Sequence, residues 1–481
     1  MVNQLVNAVH CHLVSRTFLL RRSRQWLGLA VGLSMLVVGF AGGQEPPPPV
    51  CIVPADPNID IAVVRFNVDG TLDTTFGEGG VRQLDLGPNV GNVGDTVWGV
   101  NRDAQDRLLI FGAVKGADTR VDRDRAVIRL TADGAVDTTF ATEGIHTLDV
   151  ATLNDNARNG LILPNGQIVS GGYTSQPTGV GTQTANHAVL LRLNDDGTPD
   201  ETFGYLGVVN INPFMSGDPN IPWGFPEVYG VVQQSSGHYV TTGYGRTGGE
   251  DAPLDMVSLR FTPDGLLDPA WGTNGAVLYD FAGGNDRGRN LLVLPDDRVL
   301  ITGTATQASG VEDALVIILN PDGTFDTGFD GDGAKTYEFG GSDEEFYGVA
   351  LSPNGDMIAA AGYSAGDNID DDATLLVLSQ AGEIAQLVPL SELENDRFWS
   401  VAIDASNRIY AAGFVVVDGD SHMIVARFTP DGALDPSFGT GGIAEVNLIA
   451  AGTEEGARGV TIQSDGKIVI AGTVEAEAAM P

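Results

Sequence analysis

The stretch Ile424-Val-Ala-Arg-Phe-Thr-Pro-Asp-Gly-Ala-Leu-Asp-Pro-Ser-Phe-Gly-Thr-Gly-Gly442 decides the fold, because the chain repeats it. An apolar run enters an Asp-Gly turn, and a second turn with a fixed Asp, a fixed aromatic and a fixed Gly follows. Turn glycines fall at 70, 134, 197, 265, 323, 382 and 432, at spacings of 64, 63, 68, 58, 59 and 50. Three residues on stand Asp73, Asp137, Asp200, Asp268, Asp326 and Asp435; six on stand Phe76, Phe140, Phe203, Trp271, Phe329 and Phe438. Ten on stand Gly80, Gly144, Gly207, Gly275, Gly333 and Gly442. The copy at Gly382 has lost all three marks, with Ala385, Val388 and Glu392.

A second half-unit alternates with the first. Its cleanest form is Gly459-Val-Thr-Ile-Gln-Ser-Asp-Gly-Lys-Ile-Val-Ile-Ala-Gly472, and related copies end near Gly112, Gly172, Gly243, Gly303, Gly362 and Gly413. Apolar alternation on both sides of an Asp-Gly or Asn-Gly pair predicts a β-hairpin. Each repeat then supplies four strands, which cannot bury both faces alone, so copies must stack. Radial stacking leaves only short, protected edges. The expected fold is all-β, a seven-bladed β-propeller of four-stranded blades. The ordered region opens with one half-unit and closes with the other. The last blade is therefore expected to be composite, residues 61–86 pairing with 457–475 to fasten the ring.

These alternating units closely resemble the delta-60 repeat family of secreted bacterial proteins, over nearly the whole stretch from Asp60 to Val474. The resemblance implies a propeller-like fold and assigns no general activity.

Outside the repeats, Arg21, Arg22 and Arg24 precede an apolar run from Trp26 to Phe40, and Ala41-Gly42-Gly43 follows. That order reads as an export signal over 1–43, with an N-terminal anchor as the alternative. Residues 44–58 form a proline-rich linker, 59–476 the propeller and 477–481 a tail. Export places the protein beyond the inner membrane: secreted, periplasmic or at the cell surface. Cys51 is then the one cysteine left, too few for a disulfide or a thiolate metal cluster.

The formal net charge is −37, and losing the first 44 residues leaves 22 basic against 63 acidic groups. Such a surface repels nucleic acid and anionic lipid, so neither is an expected partner, and no membrane contact is expected beyond the N-terminal segment. A monomer is expected.

The repeated Asp and aromatic read as architecture, the carboxylate closing an Asx-type turn and the ring packing between blades. Three carboxylates crowd at Asp326, Asp330 and Asp332, which makes Ca2+ the one cofactor to consider, although the full calcium-loop pattern is absent. His187 and His422 share a repeat position with Asp255, Asp313 and Asp372, expected to be a solvated strand edge. No nucleophile elbow, zinc helix or phosphate loop is present, and no catalytic residue is assigned.

In a four-stranded blade the two hairpin turns share one face, and the other connections share the opposite one. Here the turns keep their chemistry and the other connections vary. The third unit is enlarged by the stretch Val209 to Glu227, where Phe214, Trp223 and Phe225 stand among prolines; Tyr173 lies on the same face. Stiffened aromatic loops suit recognition. The expected function is a binding or scaffold module for protein or glycan through this variable-loop face. The alternatives are a propeller enzyme of lyase or lactonase type and a rigid spacer.

Overall fold

The computed structural model describes residues 58–86, 94–116, 120–178, 184–214, 224, 226–246, 252–339, 343–365, 370–380, 384–389, 394–450, 452 and 455–476. Cys51, Trp223, Phe225, the export segment and most of the linker lie outside them. Among the described residues there are twenty-eight strands and no helix.

Seven antiparallel sheets of four strands each make the blades. The first complete one orders β3 (Thr96–Arg102), β4 (Leu108–Lys115), β5 (Arg123–Leu130) and β6 (Ile145–Leu148) from inside to outside. The closing blade orders β2 (Val81–Leu84), β1 (Asn58–Phe66), β28 (Ile468–Ala476) and β27 (Gly456–Ile462). β1 pairs with β28 along nine residues, from Asn58 opposite Ala476 to Phe66 opposite Ile468. The two ends of the repeat region are thus joined by a full ladder of backbone hydrogen bonds, as the half-repeat offset predicts.

The apolar residues form seven buried clusters, each shared by two neighbouring blades. Ile61 and Val63 of β1, for example, meet Leu108 and Ile110 of β4, so the core lies between blades. The repeated aromatic belongs to this packing. Phe76, Phe140, Phe203, Trp271 and Phe438 are fully buried. Phe76 lies where a Cβ on Gly134 of the next blade would come within 2.7 Å of its ring; Gly134 has φ +88°. The turn glycine is therefore fixed twice, by its left-handed backbone and by its neighbour's ring.

Two expectations need correction. The insertion in the third unit is narrower than Val209 to Glu227. Val208–Ile211 is an outer strand with Val209 buried in the core, and Glu227 opens the next inner strand. The position shared by His187 and His422 is a solvated edge only in part: it lies at or near the start of a strand, where Asp313 and His422 are buried (2% and 9% exposed) and His187, Asp255 and Asp372 are half-buried. Where this position is buried, the neighbouring blade covers it, which sequence periodicity does not reveal.

Candidate ligand site at the channel mouth

The innermost strand of every blade carries a β-bulge near its start. In β3 the register skips between Val97 and Gly99, leaving Trp98 as the extra residue. The same skip leaves Arg158 in β7 (Asp155–Ile162), Tyr229 in β11 (Glu227–Gln233) and Arg289 in β15 (Arg287–Val293). It leaves Tyr347 in β19 (Glu344–Leu351), Trp399 in β23 (Glu394–Ile403) and Arg458 in β27. Bulges re-aim side chains. Here all seven line one cavity of about 570 Å³.

The glycine that ends each hairpin makes the bulge fit. A Cβ on Gly112 would stand 1.9 Å from the Thr96 carbonyl oxygen, and one on Gly243 1.7 Å from that of Glu227. Gly172, Gly303, Gly362, Gly413 and Gly472 meet the same obstacle at 1.7–1.9 Å.

The seven side chains form a closed circle in blade order. The Arg158 guanidinium lies 4.0 Å from the Trp98 ring and 4.5 Å from Tyr229. Arg289 lies 5.0 Å from Tyr229 and 5.1 Å from Tyr347. Tyr347 stacks on Trp399 at 4.5 Å, and Arg458 sits 3.5 Å from Trp399 and 5.0 Å from Trp98. A guanidinium over an aromatic face is held by the ring quadrupole, by about 0.5–2 kcal/mol per contact depending on desolvation. Glu345 accepts from Arg289 Nε at 2.5 Å, whereas Glu227 stays 3.7 Å from Arg158. Burial opposes charge on Arg158, but Tyr229, Tyr173 and Glu227 outweigh it and raise its pKa. Burial, then Glu345, push the Tyr347 phenol well above the usual range, so it stays protonated.

Below this circle the wall narrows to Gly99, Asn159, Asn290, Ser400 and Gly459, then to Val100, Val231, Leu291, Val349, Val401 and Val460. The bulge stands at the strand start, so the mouth opens on the variable-loop face. Tyr173 is in the second tier, 5.3 Å from Arg158, with its hydroxyl accepting from Asn156 Nδ2 at 3.3 Å. Phe214 is half-buried, follows the outer strand of the third blade and packs on the core between blades. It is not part of the circle. Sequence reasoning missed the seven ring residues, although each stands fourteen residues (fifteen in one repeat) before its hairpin-ending glycine.

The repeated Asp does turn and inter-blade work. Asp137 Oδ1 accepts from the Thr139 amide at 3.1 Å, and Oδ2 from Arg129 Nε at 2.8 Å. Arg129 in turn covers Phe140 at 4.6 Å and donates to the Asp195 carbonyl of the next blade. Asp73, Asp200, Asp268 and Asp435 make the same pair with Arg65, Arg192, Arg260 and Arg427. Asp326 uses Arg298 instead, because its partner position is occupied by Ile318.

As for metal ligands, Asp326 accepts from the Gly328 amide, Asp332 from the Ala334 amide, and Asp330 faces Lys335 at 3.5 Å. Among the described residues, the carboxylate oxygens that gather within 4.8 Å belong to two other groups, Asp60-Asp85-Asp95 and Asp124-Asp149-Asp155. Arg120 bridges Asp124 and Asp149 in the second. Asp95 and Asp155 also hold a repeated structural position, accepting the amides of Leu86 and Val150 as the chain leaves one blade for the next. Asp286, Glu344 and Glu455 do the same for Phe281, Phe339 and Leu448.

Fold and repeat define a seven-bladed β-propeller repeat protein. A family described as "Domain of unknown function (DUF5122) beta-propeller" matches residues 55–76, 116–140, 163–203, 294–329 and 405–438. No curated protein matches the sequence. Among solved structures, the chain is similar to the Neurospora crassa Pan2 WD40 domain, at 10% identity and a TM-score of 0.41, covering 82% of this chain and 93% of that one. It is also similar to a PL25 ulvan lyase, at 11% identity and 0.42, covering 72% and 86%. A glucose dehydrogenase matches at 14% and 0.38, covering 68% and 96%. Likenesses of this order say nothing of what the chain binds.

Proposed function

We propose that this propeller is an exported binding module that takes a glycan in its channel mouth. The observation that carries the reading is the seven-fold bulge, which presents Trp, Tyr and Arg faces to one cavity. Four half-buried aromatic rings offer stacking surfaces for sugar rings, and Asn159, Asn290 and Ser400 below them offer polar contacts for hydroxyls. The cavity volume falls in the range of small-ligand sites, roughly 300–1,000 Å³. A glycan fits it better than the surface of a folded protein, which favours flatter and larger contacts. The described wall offers three Arg and two Tyr as its ionisable groups, and no carboxylate or imidazole for acid–base catalysis.

The test is a glycan-array and envelope-protein screen of the full chain beside a Trp98→Ala, Trp399→Ala variant. The reading predicts capture of an oligosaccharide by the parent chain and at least tenfold weaker capture by the variant, a loss of about 1.4 kcal/mol. Equal capture by both would overturn it.

A further inference from the structure

Resting on the reading of the mouth as a glycan site, we propose that its ligand carries one anionic group, a carboxylate or a sulfate ester, which binds Arg158.

The charge at the mouth runs against that of the molecule. The chain has 63 acidic and 26 basic residues, yet the charged residues of the described cavity wall are Arg158, Arg289 and Arg458. Arg289 is closely paired with Glu345. Arg158 is held differently. Its nearest carboxylate, Glu227, stands 3.7 Å away and already accepts from Asn186 Nδ2 at 2.6 Å and the Tyr244 hydroxyl at 2.8 Å. Arg158 is 8% exposed, and its Nε and Nη1 are buried with no acceptor among the described residues. Trp399 Nε1, on the same wall, is likewise a buried donor without an acceptor.

A guanidinium remains charged in proteins and has five N–H donors and no acceptor. Leaving such donors unpaired away from water costs about 1–3 kcal/mol for a neutral group and more for a charged one. The side-on fork of a guanidinium is Nε with Nη2, and here Nη2 faces Glu227, so an oxygen of a carboxylate or sulfate takes Nε or Nη1 singly; charge-assisted pairs are about twice as strong as neutral ones. Trp98, Tyr229 and Tyr173 lie 4.0, 4.5 and 5.3 Å from the Arg158 guanidinium, so an anion bound to Arg158 changes the surroundings of Trp98. Tryptophan emission therefore reports the event.

The rest of the molecule limits the ligand to one charge. Beyond the mouth the acidic surface repels anions, with a screening length of about 8 Å at physiological salt. A polyanion would lie across that surface, whereas one anionic group on an otherwise neutral chain would not.

The experiment titrates the full chain with three oligosaccharides of equal length, followed by calorimetry and tryptophan emission. One is neutral, one ends in a hexuronate, and one bears a single sulfate ester. At least one anionic form should bind about tenfold more tightly than the neutral one. Which of the two does so identifies the anion. In Arg158→Gln the preference should fall to within about twofold; in Arg158→Lys, which keeps the charge but not the Nε and Nη1 donors, it should lie in between. A folded Arg158→Gln chain that keeps the full preference overturns the proposal. If Arg158→Gln does not fold, Arg158→Lys decides: undiminished preference overturns it. Neutral and anionic forms bound equally by the parent chain overturn the anion and leave the glycan reading standing. Binding of none of the three overturns both.

Discussion

At Asp137 two oxygens do two jobs, closing a turn through the Thr139 amide and pairing with a buried Arg129. Removing the carboxylate leaves that buried guanidinium only Asp195 Oδ1, exposed and 3.4 Å away, as counter-charge, and breaking such a buried pair costs up to about 3–5 kcal/mol. Asp137→Ala should therefore lose about that much in denaturant unfolding, and a loss under 1 kcal/mol would contradict the clasp. Such residues were legible in the sequence because their chemistry demands one identity: an Asx turn needs a short carboxylate, and the ring behind it needs an aromatic. The mouth was not legible for the opposite reason. Trp98, Arg158, Tyr229, Arg289, Tyr347, Trp399 and Arg458 occupy one repeat position with three different identities. Their common role emerges only when the blades are closed into a ring and their cations and π faces touch.

At the scale of the element, the bulge and the hairpin-ending glycine form one device. The glycine was legible as a repeat mark, but its reason lies across the strand, in a carbonyl too close for any Cβ. Gly243→Ala must push the Glu227 carbonyl aside, straightening the bulge that aims Tyr229. We expect a loss of about 1–3 kcal/mol, the usual range for overpacking, together with weaker glycan capture. Tyr229→Ala should weaken capture without a comparable loss of stability. Equal thermal stability of Gly243→Ala and the parent chain would show that the glycine is not needed there. The composite blade was legible from chain order alone, because seven of each half-unit with ends out of phase leave two unmatched halves. Deleting residues 59–86 strips β28 of a nine-residue ladder, and an unchanged melting temperature would refute closure by that blade.

For the whole molecule, two populations of carboxylate set the response to pH. Burial pushes Asp95 up to about 7, Asp155 to about 6 and Asp396 to about 7, and nearby carboxylates add to it. These groups hold a proton in the folded chain that the unfolded chain, near pKa 3.9, releases. Stability therefore rises as pH falls from about 7 towards 4. Asp137, Asp200 and Asp268 behave oppositely: burial pushes them up, but turn hydrogen bonds and their arginines prevail and hold them low. Their contribution is present above pH ~4 and lost as pH falls through the lowered values. Melting temperature should peak between about pH 4 and 6; a steady rise from pH 5 to 8 would contradict the buried carboxylates. The net charge of −37 acts in the same direction, since protonation relieves self-repulsion.

Seven bulges on one face build the proposed ligand site. Backbone hydrogen exchange of the full chain, with and without the oligosaccharide it captures, tests this most directly. Slower exchange should appear at the starts of the inner strands, around residues 98, 158, 229, 289, 347, 399 and 458, in several blades at once, leaving the Asp-Gly turns of the opposite face unchanged. Protection confined to those turns or to the outer strands, with the inner strands unaffected, would contradict the account.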